Sequence, residues 1–379
     1  MPTLRAMRAQ THEGWKSHTG GVDLMRAVII EEHGGPEVLR YVDIPDPVPE
    51  PGEVVIRVGA LTVNPGPDVQ TREGRFGMPG FQLPHIGGSD PAGEVVALGE
   101  GVTSPQIGDR VVVYPLLWCG ECDFCRRGFG ANYCRKMRLW GAQTWGGRAE
   151  YARIPARNVV PLPDSVSYEA AATLPVSYIT TWHGIIDKAG LIEGETLLVM
   201  GAAGGCGVAA IQIGLLHGAR VLAVSGAEWK RERALELGAD QAFDYHDADW
   251  AEQVKDATDG LGASVVFDNV GQETWPQSIP CLDRGGRFVC SGCTTGCAME
   301  LDVLWAYRHV VSMHFHVQGT KHNLEELVDV IGQGRLDPVI DSRFPLRDIA
   351  LAEGKLLSQN HFGKIVIVPA ADGPGSTSA

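Results

Sequence analysis

Five residues with the texture of a buried strand, Thr196-Leu-Leu-Val-Met200, pass directly into Gly201-Ala-Ala-Gly-Gly-Cys-Gly207 and then into an apolar helical stretch at 208–216. A strand, a glycine-rich turn and a helix in that order bring unhindered backbone N–H groups to a helix N-terminus. That arrangement suits the pyrophosphate of a dinucleotide, and side chains at the glycines would block its approach. The strict spacing is Gly-x-Gly-x-x-Gly; this chain offers Ala202-x-Gly204-x-x-Gly207, a relaxed first position. A second strand at 220–224 follows, which separates this pattern from an ordinary tight turn. Gly201, Gly204, Gly205, Cys206 and Gly207 are therefore the expected phosphate-binding residues.

The rest of the chain is organised around that turn. From about residue 166, candidate strands at 196–200, 220–224, 241–245, 264–268, 287–290 and 310–317 alternate with helical stretches such as 208–216 and 228–237. Regular βα alternation predicts a doubly wound parallel sheet. The stretch 272–284 is the weakest helix, because Pro276 and Pro280 fall inside it. Upstream, β-branched runs at 27–30, 54–58, 93–99 and 108–113 are punctuated by proline and glycine, as in Ile44-Pro-Asp-Pro-Val-Pro-Glu-Pro-Gly52. They predict an antiparallel, β-rich module. The expected fold class is thus α/β: an extension at 1–24, a β-rich domain from 25–165 and 336–370, a dinucleotide domain at 166–335 and a mobile tail at 371–379.

Composition removes several function classes. With 46 acidic against 32 basic residues, the net charge of −14 argues against a nucleic-acid partner. No run approaches the roughly 18 uninterrupted apolar residues of a membrane span, and residues 1–24 lack the apolar block of a signal peptide. A soluble, cytoplasmic protein acting on a small molecule is expected.

Of the nine cysteines, four are spaced Cys119-x2-Cys122-x2-Cys125-x8-Cys134. Four thiolates complete a tetrahedral shell and leave no position for water, so one zinc bound here would be structural; unligated thiols or an iron–sulfur cluster are the rival readings. Cys290-x2-Cys293-x3-Cys297 has the look of a second metal motif, but no fourth ligand stands nearby, and these cysteines are expected as small residues packed at a strand end. In a reducing compartment, disulfides are not expected.

A dinucleotide site that takes NAD carries Asp or Glu at the end of its second strand, about 20 residues past the glycines. Here Ser225-Gly226 occupies that place, with Lys230, Arg231 and Arg233 just beyond. The lack of a carboxylate and the nearby bases favour NADPH, with Lys230 the expected ligand of its 2′-phosphate. The same bases also fit a solvated helix face.

The glycine turn, the four-cysteine segment and the bracketing β module together make the chain similar to the medium-chain dehydrogenase/reductase superfamily. The likeness runs from about residue 25 to 369 and includes Met25-Arg-Ala-Val, Gly108-Asp-Arg-Val, Gly147-Arg-Ala-Glu-Tyr151, Ala239-Asp, Gly285-Gly-Arg and Phe362-Gly-Lys364. It implies a GroES-like catalytic domain, a Rossmann domain, a nicotinamide cleft at their junction, and a homodimer or homotetramer. The zinc-dependent alcohol dehydrogenase branch carries three catalytic-metal ligands; this chain has Asn64 or Pro65, Ser89 and Val176 at those places. None is a thiolate or imidazole, so a catalytic zinc is not expected. The resemblance then turns toward quinone and enoyl reductases, whose Asn-x-x-Asp becomes Asn-x-x-x-Asp here, Asn64 to Asp68, with Gln70 in place of an aromatic residue. By resemblance Asn64 lies near the nicotinamide, Thr180 faces it, and Ser225, Tyr245, Asn269 and Ser291 line the cofactor at successive strand ends. An alcohol dehydrogenase with unusual ligands such as Asp90 or His85, and a cofactor-binding sensor without turnover, are the alternatives. His314 and His316 share one face of the last strand, a candidate interface.

Overall fold

The structure, a computed structural model, describes residues 23–77 and 79–369. Apart from residues 23 and 24, the expected extension and tail therefore lie outside the described residues. The chain divides into two compact units: one holds the residues up to 175 together with 342–360 and 365 onward, the other holds 176–341 and 361–364.

The second unit is a six-stranded sheet in the order Gln241–Phe243, Arg220–Val224, Thr196–Met200, Ala263–Phe267, Leu282–Cys290 and Ser312–Phe315, every pairing parallel. Its central strand shows why the sequence must fold this way. Leu197 and Val199 point into one apolar layer with Val208 and Ile211 of the helix Gly205–Leu216. Leu198 and Met200 point into another with Trp250 and Val254. A strand buried on both faces needs helices on both sides, which only the doubly wound arrangement supplies. Strand order reverses beside Thr196–Met200, the switch point at whose carboxyl end such sheets bind ligands.

In the first unit the strand pairs from Lys364–Val368 onward are antiparallel. Ile340–Pro345, Lys364–Val368, Glu53–Thr62, Ala92–Leu98, Arg110–Val113 and Val159–Pro161 lie side by side in that order, and Tyr151–Pro155 adds to Glu53–Thr62. Val54, Ile56, Val58, Val95, Val111, Ile365 and Ile367 form its core. A hairpin, Leu24–Ile29 with Arg40–Pro45, packs Met25, Ala27 and Ile29 against Ile86 and Ala149.

Two expectations change here. The stretch 272–284 holds only a four-residue helix, Trp275–Ser278, with Pro276 in its first turn, where no N–H is required; a single 3₁₀ turn follows before the strand begins at Leu282. The shared face of His314 and His316 is covered by the unit's own segment 183–188. The His316 ring packs against His183 at 5.3 Å, and its Nε2 lies 2.6 Å from where a Cβ on Gly184 would stand. No helix among the described residues is long and apolar enough to cross a membrane.

Candidate functional site

The strand Thr196–Met200 ends at Gly201, whose φ of +62° turns the chain toward the helix. Gly204 caps the helix in extended conformation, and Gly205, Cys206 and Gly207 form its first turn, where the N–H groups have no intrahelical acceptor. At Gly207 a Cβ would lie 2.3 Å from the Gly201 carbonyl oxygen and 2.7 Å from the Ala202 Cα, so only glycine fits. At Gly204 it would meet nothing nearer than 3.5 Å, which leaves the mouth of the turn open. These residues form a cradle suited to a pyrophosphate.

The closing motif Phe362-Gly-Lys364 returns to this turn. Gly363 N–H donates to the Ala203 carbonyl at 2.9 Å, and the Lys364 stem lies 2.7 Å from where a Cβ on Gly205 would be. Lys364 is buried and, as a positive charge, lowers the Cys206 thiol pKa against the larger upward push of burial. A helix N-terminus and a buried ammonium side by side make the turn electropositive in a chain of net charge −14.

At the end of the second strand, Arg231 explains part of the basic run. Its guanidinium donates to the carbonyls of Ser225 (3.1 Å) and Gly226 (2.7 Å) and pairs with Asp244 at 2.6 Å. Arg231 therefore holds the loop, and Arg233 pairs with Glu236. Lys230 lies over the Trp229 ring, and burial lowers its pKa. Ser225 is buried at the strand end. The Tyr245 ring lies tilted against His246 and stands within 2.8 Å of where a Gly226 side chain would begin, so the bare glycine makes room for it. At the fourth and fifth strand ends, Asn269 Oδ1 accepts from Ser291 N–H (2.7 Å) and Ser291 Oγ–H (3.2 Å). The structure thus gathers Gly201, Gly204, Gly205, Cys206, Gly207, Ser225, Lys230, Tyr245, Asn269 and Ser291 at the carboxyl ends of neighbouring parallel strands. Thr180 lies buried on the short helix Ile179–Trp182 of the same unit.

The first unit holds a second polar constellation. Asn64 is 2% exposed, and its amide donates to Asp68 Oδ2 (3.1 Å) and Asp90 Oδ2 (2.8 Å). Its backbone N–H also donates to Asp68 Oδ2, at 2.8 Å. Residues Pro65–Gln70 form one wide turn in which Val69 N–H reaches back to the Asn64 carbonyl, and this i to i+5 turn absorbs the extra residue of Asn-x-x-x-Asp. Asp90 also accepts from the Thr62 N–H and hydroxyl. Beyond Asp68 the network continues through Arg148 to Glu353 and on to Arg72, at 3.3, 2.7 and 2.8 Å. All four side chains are at most 3% exposed. The cavity beside Arg148 and Asp68 has about 10 Å³, room for one water, and this end of the network holds the loop in place.

Arg72, Arg148 and Glu353 had no role in the sequence reading. The signal that marks Glu353 is a carboxylate on the apolar side of the helix Ile349–Leu357.

Burial raises Asp68 to about 6, with Arg148 and the Asn64 hydrogen bond opposing and Asp90 and Glu353 adding. Between the ordinary carboxylate value and 6 the folded protein holds more protons than the unfolded one, so this group's contribution falls as pH rises through that window. Relative to Asp68→Asn, the wild type should lose on the order of 3 kcal/mol from pH 4 to pH 7. Urea midpoints at unit pH steps measure this, and parallel curves for the two proteins would rule it out.

The Asp90 and Asp68 oxygens accept from N–H and O–H donors, and burial holds His85 down to about 4, neutral, with Nε2–H donating to the Gly141 carbonyl at 3.1 Å. Among the described residues, one set of three or more His, Cys, Asp or Glu side chains brings its ligand atoms together: Cys119, Cys122, Cys125 and Cys134, all within 4.8 Å. Sulfur separations of 3.9, 3.4 and 3.5 Å approach the roughly 3.8 Å edge of a tetrahedral zinc–thiolate shell. Backbone N–H groups of Cys122, Cys119 and Lys136 point at these sulfurs. Cys122 is held down to about 6, chiefly by the Arg135 N–H, which favours the thiolate that a metal requires. The residues present fit a structural zinc.

The second cysteine run is corrected in part. Cys290 is, as expected, a small buried residue packed at its strand end, with its thiol donating to the Gly292 carbonyl. Cys293 and Cys297 form a disulfide, which was not expected.

Comparison with known proteins agrees with this architecture. The family model described as alcohol dehydrogenase GroES-like domain matches residues 50–164, and that described as zinc-binding dehydrogenase matches 237–367. A quinone oxidoreductase from Rattus norvegicus is 28% identical over 92% of this chain and 99% of its own length. The crystal structure of an NAD-dependent alcohol dehydrogenase superposes with TM-score 0.86 at 37% identity, covering 91% of this chain and 99% of that one. A crotonyl-CoA carboxylase/reductase, AntE, solved in complex with NADP, gives TM-score 0.82 at 25% identity over 91% and 94% of the two chains.

Proposed function

Because this chain belongs to the medium-chain dehydrogenase/reductase superfamily and is an oxidoreductase of that type, we propose that it uses NADPH to reduce an activated C=C bond or a quinone without a catalytic zinc. The observation that carries the reading is the end of the second strand: Ser225 and Gly226 in place of a carboxylate, a loop held by Arg231, and Lys230 beside it. The likeness to quinone oxidoreductase and to an NADP-bound enoyl-thioester reductase supports it.

The glycine turn and the buried Lys364 would hold the pyrophosphate, Lys230 the 2′-phosphate, Tyr245 the adenosine side, Asn269 the ribose and Ser291 the nicotinamide side. When bound, the nicotinamide supplies hydride to an electrophilic carbon. The Asn64–Asp68–Asp90 network keeps the loop 64–70 in one conformation. The Asn64 amide donates to two buried carboxylates and so stabilises this loop, and its place near the nicotinamide remains part of the proposal.

The test is oxidation of NADPH and of NADH across enoyl thioesters, enones, quinones and aldehydes, beside a zinc measurement. Turnover with conjugated acceptors at one zinc per chain is expected. An alcohol dehydrogenase using NADH is the second reading, favoured by the 37% identity to the NAD-dependent structure. Aldehyde reduction by NADH with two zincs per chain would select it, and no turnover with any acceptor would select a sensor. Lys230→Ala should raise the KM for NADPH about tenfold and leave that for NADH within about twofold; equal shifts for both cofactors would remove Lys230 from the phosphate site.

We also propose a homodimer or homotetramer. Tyr307, Val310, Phe315 and Val317 are exposed apolar residues gathered along the edge strand Ser312–Phe315 and the segments beside it. Light scattering that returns a monomer mass would exclude this.

A further inference from the structure

We propose that Cys293 and Cys297 form a reversible disulfide whose opening, by exchange with a low-molecular-weight thiol, loosens the loop after the fifth parallel strand and weakens dinucleotide binding. The proposal rests on the reading of this unit as an NADPH site.

The two Cα atoms are 5.2 Å apart, inside the span a disulfide requires. The bond closes a five-residue loop that is docked on its neighbour strand's loop. Thr295 N–H donates to the Val270 carbonyl at 2.9 Å, Gln272 N–H to the Gly296 carbonyl at 3.0 Å, and Glu273 N–H to Thr295 Oγ at 3.2 Å. A Cβ on Gly271 would lie 2.7 Å from the Gly296 oxygen, so the two loops meet backbone to backbone. Two residues before Cys293, Ser291 donates its N–H and hydroxyl to Asn269. The cross-linked loop and the residues expected to line the nicotinamide are therefore one continuous hydrogen-bonded patch.

Accessibility sets the direction of attack. Cys297 is exposed and Cys293 only partly so, so an external thiolate attacks the Cys297 sulfur, the S–S bond breaks, and Cys293 leaves as thiolate. A second external thiolate then attacks the mixed disulfide and releases the Cys297 thiolate and one small-molecule disulfide. Two electrons enter the protein, and both thiolates take protons from water. Cys290 stands apart from this exchange: it is buried, its pKa is raised by that burial, and its thiol already donates to Gly292.

The experiment equilibrates the full chain with oxidised or reduced glutathione, alkylates it, maps the peptide spanning 293–297, and measures NADPH affinity by nicotinamide fluorescence. In the oxidised sample this peptide should be unalkylated at both positions and two hydrogens lighter. In the reduced sample it should carry two labels, with NADPH bound roughly fivefold or more weakly. The double variant Cys293→Ser/Cys297→Ser should bind like the reduced wild type and ignore glutathione. Full labelling after oxidation, or equal affinity in both states, overturns the proposal. Should NADPH bind in neither state, the cofactor reading fails, and amide exchange decides the loop: Gln272 and Thr295 N–H must exchange faster in the dithiol, and equal rates overturn the switch.

Discussion

Glu353→Ala should destabilise the β-rich unit by about 3–5 kcal/mol. The glutamate is fully buried between two guanidinium groups, accepting a hydrogen bond from Arg72 Nε–H at one oxygen and ion-paired with Arg148 at the other. Its removal leaves two desolvated positive charges sharing only Asp68 and the partly buried Glu73, and an uncompensated buried charge costs far more than a paired one returns. Glu353→Gln keeps the shape and the hydrogen-bond acceptor and should recover part of the loss. Urea unfolding at pH 7, followed by a probe in the first unit, measures both variants. A loss below about 1 kcal/mol for the alanine variant would show that the network contributes little and that Asp68 alone settles Arg148.

Removing the zinc that the cysteine lobe is proposed to hold should have the second large effect. Zinc binding in small Cys-rich peptides is worth about 10–16 kcal/mol at neutral pH. Regular structure in the lobe is slight, since Asp123–Arg126 is one helical turn and Leu116–Leu117 with Arg138–Leu139 a two-residue ribbon; other contacts include the Phe124, Phe129 and Tyr133 ring cluster and the exposed Arg135–Asp123 and Lys136–Glu121 pairs. Cys125→Ser or prolonged chelation should release one metal per chain and open 119–138 to trypsin at Arg126, Arg127 and Arg135. NADPH affinity should be nearly unchanged, because the glycine turn belongs to the other unit. Digestion as slow as that of the untreated protein would mean that the four thiols hold the lobe without metal.

What the sequence disclosed is what short range controls. A glycine turn between strand and helix, or four cysteines within sixteen residues, is written in neighbouring letters, and both stand where their spacing put them. The six parallel strands were legible for the same reason, as apolar runs bounded by turns. The charged network was not legible, because Arg72 and Glu353 lie 281 residues apart and each alone reads as surface. The carboxylate partners of Asn64 were not legible either, because spacing says nothing of which carboxylates a fold brings to an amide. The cross-link between Cys293 and Cys297 was not legible because a three-residue gap suits packing, a metal and a disulfide alike; the backbone path between them decides. Pro276 weakened a helix in the sequence, and the fold used it to start a shorter one.

The late position of residues 353–364 has a consequence for synthesis. Glu353 completes the charged network of one unit, and Gly363 closes onto Ala203 beside the phosphate turn of the other. A ribosome that has finished both large segments has still not delivered the stretch that completes either of them. Each must wait, partly formed and with buried charges unpaired, until this short piece emerges, and a chain cut just before it would lose two folds at once.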